Sequence, residues 1–140
     1  LVCAAGAPWA AKFDRLPKRK PLPLETITEF PLVVPEPDSH SRRILDAALT
    51  GRAWAGRVDY RLELGGWLTM LDYVRAGHGV GLVNASVMKA IRDSADLATR
   101  ALDPSEMPAR PDRLITRGET QGETAAAWAA VLQGVIRNEA

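Results

Sequence analysis

One cysteine, two histidines and almost no net charge narrow the field before any motif is read. With Cys3 alone, the 140-residue chain builds neither a disulfide framework nor a thiolate metal site within itself. That usage fits a reducing compartment, so a cytoplasmic location is expected. Lys and Arg number 18 against 17 Asp and Glu, for a formal net charge of +1. The balance argues against a strongly basic nucleic-acid surface in this segment. No apolar run approaches the length of a membrane span, so no membrane partner is expected. The opening "LVCAAGAPWA" has small residues but neither a basic n-region nor a long apolar core, and does not read as a signal peptide. It also lacks a methionine, and we expect the chain to be a piece of something longer. There is no internal repeat and no low-complexity tract.

What remains is ordinary globular material, 46% hydrophobic and 25% charged, long enough for one domain with a real core. Leu1–Ala4 reads as a short strand. Residues 5–23 carry Gly6, Pro8, Pro17, Pro21 and Pro23 with "KRK" at 18–20, and read as a long surface loop with a solvated basic patch. "ETITEFPLVVPEPDS" gives a short turn and a strand, Leu32–Val34, ended by Pro35 and Pro37. "DSHSRRILDAALTG" is a helix: Asp38 or Ser39 caps it, Ile44, Leu45, Ala48 and Leu49 form its stripe, and Gly51 ends it. "RVDYRLEL" at 57–64 alternates as a strand, with Val58, Tyr60, Leu62 and Leu64 on one face, and Gly65-Gly66 breaks it.

The stretch "LDYVRAGHGVGLVN", 71–84, reads as helix, glycine turn and buried strand. Leu68, Leu71 and Val74 share a face of a helix over Trp67–Ala76. Gly77 is a left-handed stop, and Val80–Val83 is a short β-branched strand. Asn84 caps a helix with Val87, Met88 and Ile91 on one face. An edge strand near Leu97–Leu102 and a short strand at Leu114–Arg117 follow. The closing "TQGETAAAWAAVLQGVIRNEA" has capping-box spacing at Thr120 and Glu123, and a stripe of Trp128, Val131, Leu132, Val135 and Ile136.

From residue 32 onward strands and helices alternate, which implies βαβ units and a mostly parallel sheet with helices on its faces. Ligands of such sheets sit beyond the carboxyl ends of the strands, at helix N-termini. Those ends are Pro35–Ser41, Glu63–Trp67 and Asn84–Ser86. The first is the most promising. Ser39, His40 and Ser41 offer donors beside free helix N–H groups at the positive end of a dipole, and Arg42 and Arg43 add charge. A small anion, above all a carboxylate, is the favoured guest.

Other candidates read as scaffold. His78 lies in a glycine turn at the surface, and Cys3 is a buried strand cysteine. Ser39 and His40 are adjacent at a helix start and do not form a catalytic pair. Asp93/Asp96 and Glu36/Asp38 read as caps and loops, and Trp67 and Trp128 as core. No catalytic residue, metal site or cofactor is expected.

Taken in order, these segments resemble the effector-binding domain of LysR-type transcriptional regulators. "LVCAAGAPWA" resembles the first hinge strand and its loop. "LETITEFPLVVPEPDSHSRRILDAAL" resembles the family's short helix, strand and helix with serine, arginine and leucine. "MLDYVRAGHGVGLVNAS" resembles the apolar helix ending in Val-x-Ala-Gly-x-Gly-Val-x-Leu-x-Pro, with Asn84 where proline is usual. "DRLITRGETQGETAAAWAAVL" resembles the second hinge strand and final helix. The resemblance implies a periplasmic-binding-protein-like (type 2) α/β lobe with the first lobe largely missing. Residues 5–113 would be the second lobe, 1–4 and 114–117 hinge strands, and 120–139 the C-terminal helix of the first lobe. It implies Ser39, His40 and Ser41 as the lobe's share of an effector pocket, with Gly66, Trp67 and Asn84 nearby.

The resemblance further implies a non-enzymatic regulatory domain that senses a small, anionic molecule between two lobes. DNA would be reached only through an N-terminal helix-turn-helix outside this chain, and the protein would be a dimer or tetramer. An uncovered stripe on the last helix predicts self-association of this chain. The alternative is a solute-binding protein of the same fold serving transport. An enzyme on the same scaffold would need a pocket acid or base with a shifted pKa.

Overall fold

Leu32, Val33 and Val34 are three consecutive apolar residues, and each is fully buried, as a strand covered on both faces requires. They form the middle of β2 (Pro31–Pro35), which lies between two parallel neighbours, β3 (Asp59–Leu64) and β4 (Val80–Gly81). Beyond β4 the sheet continues through β1 (Val2–Ala4) to β5 (Leu97–Thr99), both pairings antiparallel. The order is β3-β2-β4-β1-β5. These features come from a computed structural model that describes residues 1–91, 93–107, 122, 126–128 and 130–132. Two units are distinguished, Leu1–Pro108 and Ala109–Ala140, and each is taken by itself.

The expected α/β class is present, with a mixed sheet in place of a mostly parallel one. Parallel pairing holds where α2 (His40–Leu49) and α3 (Trp67–Arg75) cross from one strand to the next. The antiparallel half rests on β1 and β5, strands of three residues each, too short for any sequence pattern to report their direction.

Helix punctuation follows the sequence closely. Ser39 Oγ accepts from the Arg42 N–H at 3.1 Å and caps α2, and Gly51 follows its end at φ +78°. Asn84 Oδ1 accepts from the Val87 N–H at 3.0 Å and caps α4 (Ala85–Ala90), so the residue standing in for proline supplies its own helix start. At the end of α3 the Gly77 N–H donates to Val74 O (2.9 Å) and the His78 N–H to Tyr73 O (3.1 Å), with Gly77 at φ +79°. That pair of bonds is a Schellman motif. Gly79 serves packing instead. A Cβ there would lie 2.8 Å from Pro31 O and 3.1 Å from Val33 Cγ2, so only glycine lets β4 close on β2. His78 is exposed, its ring beside Tyr73.

Three expectations are corrected. Residues 5–23 are not one loop: α1 (Ala10–Asp14) inserts Phe13 fully into the core, edge-on to Phe30 with ring centroids 5.8 Å apart. A five-residue helix with a single buried aromatic shows no periodicity, so the prolines around it dominate the sequence pattern. On α3 the buried face is Met70, Leu71 and Val74, and Leu68 is 62% exposed. Three residues back along a helix falls roughly 60° around the cylinder, and here that carries Leu68 past the edge of the core. The expected strands at Val80–Val83 and Leu97–Leu102 are narrower, though Leu82 N–H still donates to Val33 O at 3.1 Å, and Leu102 pairs with Leu22 in an isolated bridge.

Cys3 is buried in β1, as expected. Burial pushes its thiol from 9.0 up to about 11, with Asp14 adding to the shift and Arg100 opposing it. Arg100 is itself buried, and its guanidinium donates to the carbonyls of Leu16 (3.2 Å), Thr99 (2.8 Å) and Phe13 (3.4 Å). In this way it ties the α1 region to β5.

In the second unit, residues 126–128 and 130–132 are helical. Trp128, Val131 and Leu132 are all exposed, which overturns the reading of Trp128 as core. Among the described residues of this unit nothing packs on that face. The expectations for Leu114–Arg117, Thr120, Glu123, Val135 and Ile136 lie outside the described residues. Among the described residues no helix is long and apolar enough to cross a membrane.

Candidate functional site

Parallel strands joined by helices bring strand C-termini and helix N-termini to the same edge of a sheet. Here that edge holds a pocket of about 200 Å³. Pro35 and Glu36 reach it from the end of β2, and Leu64 from the end of β3. Ser39 and Ser41 come from the start of α2, and Gly66 and Trp67 from the start of α3. Asn84 comes from the start of α4, while Met70, Leu82 and Val87 supply much of the apolar lining.

Five of the six residues expected at the site, Ser39, Ser41, Gly66, Trp67 and Asn84, are thus brought together around one pocket. His40 is not among them and is exposed to solvent. It is the first residue of α2, and its side chain lies in solvent outside the pocket lining. Trp67 is 44% exposed, which replaces its reading as a core residue with one as an aromatic wall of the pocket. Gly66, at φ +81°, is the N-cap of α3 and turns the chain from β3 into that helix.

The electrostatics differ from expectation in one respect. Arg42 does not lend its charge to the pocket. Its side chain is buried, lies over the Tyr60 ring at 4.3 Å, and donates to Asp46 Oδ1 (2.9 Å), Glu63 Oε1 (2.5 Å) and the Pro35 carbonyl (3.3 Å). Burial alone would lower its pKa, but the bonds and charges of Glu63 and Asp46 outweigh that and raise it. The guanidinium is therefore spent on structure. It fixes the start of α2 against the ends of β2 and β3, and so sets the position of the Pro35–Ser39 rim.

What the rim offers a ligand is a set of neutral donors. The N–H groups of His40 and Ser41, the first two of α2, have no acceptor among the described residues, as geometry dictates for a helix start. The Asn84 Oδ1 is occupied as a cap, which leaves the amide NH₂ of that side chain to donate. Against them stands Glu36, a residue the sequence reading left in the loop. Its backbone is fixed, N–H to Leu64 O (3.1 Å) and O from Ser39 N–H (3.0 Å). Its carboxylate lies over Gly65, where a Cβ would meet Oε2 at 3.2 Å. The only signal that could have found it is its place at the strand end, within the stretch already singled out.

The structure so far defines an α/β unit with a pocket at the C-terminal edge of its parallel strands. The sequence profile of the LysR substrate binding domain matches residues 1–137, and the chain belongs to that family. The fold is similar to that of the regulatory domain of HypT from Salmonella typhimurium in a bromide ion-bound structure, with a TM-score of 0.50 and 18% identity. That similarity covers 96% of this chain and 58% of the HypT chain, so this chain spans little more than half of that domain structure. No curated protein matches the chain.

Proposed function

We propose that this chain is the effector-sensing part of a LysR-type DNA-binding transcription factor, and that its effector is a small organic acid held at the strand-end pocket. Family membership supports the regulatory role. The observation that carries the pocket is the convergence of Ser39, Ser41, Gly66, Trp67 and Asn84 on one site beside the unpaired amides of α2. In this reading residues 5–113 are one lobe, with 1–4 and 114–117 as hinge strands and 120–139 as a helix of the other lobe. The effector closes the cleft between lobes and shifts the population of interlobe geometries, and an oligomer transmits that shift to DNA through a helix-turn-helix outside this chain. No reaction is catalysed.

The test is titration calorimetry with small carboxylic acids, both with and without amino groups. At least one acid binds, and Ser41→Ala weakens it by about three- to tenfold, the worth of one hydrogen bond. Ser41 is the cleaner choice, because Ser39 also caps α2. Unchanged affinity in the variant, or no binding by any acid, contradicts the proposal.

A further inference from the structure

Glu36 is the one charged residue in the pocket lining. Its carboxylate has no hydrogen-bond or ion-pair partner among the described residues, and the Arg42 guanidinium is held by Asp46 and Glu63. A plain anion entering this pocket meets, in one lining, the helix-start donors and the solvent-exposed carboxylate of Glu36. The two demands are met together by a ligand with both charges. We propose that the pocket selects an amino acid-like zwitterion, its carboxylate on the α2 start and the Asn84 amide, its ammonium on Glu36. This rests on the strand-end pocket being the effector site.

Four features fit that assignment. An ammonium beside Glu36 forms a charge-assisted pair, about twice as strong as a neutral hydrogen bond. Trp67, in the same lining and partly exposed, adds the attraction of an aromatic face for a cation. Gly65 leaves the Glu36 carboxylate its place, since a Cβ at that position would press on both carboxylate oxygens at 3.2 and 3.3 Å. The apolar contacts of Met70, Leu82 and Val87 leave room for a small hydrophobic side chain.

The experiment is an NMR titration of the ¹⁵N-labelled chain with the common amino acids and, for each, the same carboxylic acid lacking the amino group. Glu36→Gln is titrated in parallel, with its melting curve as the check on folding. The expected result is that at least one amino acid shifts the amides of Ser41, Gly66 and Asn84 and binds about tenfold more tightly than its deaminated counterpart. In Glu36→Gln that preference falls to near parity. If the deaminated acid binds the unaltered chain as tightly as the amino acid, the zwitterion is overturned while the pocket stands. If the preference survives Glu36→Gln, Glu36 is not the ammonium's partner and the inference is likewise overturned. If neither set shifts the pocket amides at millimolar concentration, the pocket reading fails together with the inference.

Discussion

The two halves of the sheet are built from similar residues and do different work. β3, β2 and β4 run parallel, and every crossover returns a helix start to the edge where a strand has just ended. That edge accumulates unpaired helix amides, caps and glycines, and it opens as a pocket. β1 and β5 pair antiparallel, and around them the chain closes into packed core: Phe13 on Phe30, Cys3 buried, Arg100 wrapped in carbonyls. The contrast is sharpest in the two buried arginines. Arg42 is held by two carboxylates and braces the pocket rim, whereas three of Arg100's acceptors are main-chain oxygens and it braces the core. A pocketed edge and a closed edge thus follow from strand direction more than from composition.

The largest expected effect breaks the closed half. Phe13→Ala removes a fully buried ring and costs roughly 3–5 kcal/mol of stability in chemical denaturation. A loss below about 1 kcal/mol would mean that α1 does not carry the core as described. Next, the two arginines separate the halves. Arg42→Met and Arg100→Met each cost about 1–3 kcal/mol, because each leaves bonded acceptors behind. Only Arg42→Met displaces the amide resonances of Ser39, Ser41 and Gly66; equal displacement by both would erase the distinction. At neutral pH the smallest effect is that of Cys3. The folded chain keeps the thiol proton to about pH 11, while the unfolded chain releases it near 9.0, so this contribution is complete below pH 9.0 and stability falls as pH rises from there toward 11. Cys3→Ala removes that decline, and an unchanged alkaline slope in the variant would assign it to another group.

Much of the pocketed half was legible because its signals are local. A cap at Ser39, another at Asn84, a left-handed Gly77 and the strand-end rule together locate the pocket without any long-range information. The closed half was harder to see. α1 is a single short turn among prolines, and the direction of β1 and β5 is decided by pairing across the sequence. Charge was misread for the same reason. Arg42 appears beside the site in sequence, but its partner Glu63 is 21 residues away, and only the fold brings the two together to neutralise it. Glu36 lines the pocket and His40 does not, because sequence spacing alone says nothing of which side chain faces a cavity.

The most direct test of the account is to map the amides of the ¹⁵N-labelled chain that respond when the tightest-binding small carboxylic acid is added. The account predicts shifts at Ser39, Ser41, Gly66, Trp67 and Asn84, with Val2, Cys3, Ala98 and Thr99 unmoved. Shifts centred on β1 and β5, with the strand-end pocket silent, would contradict it.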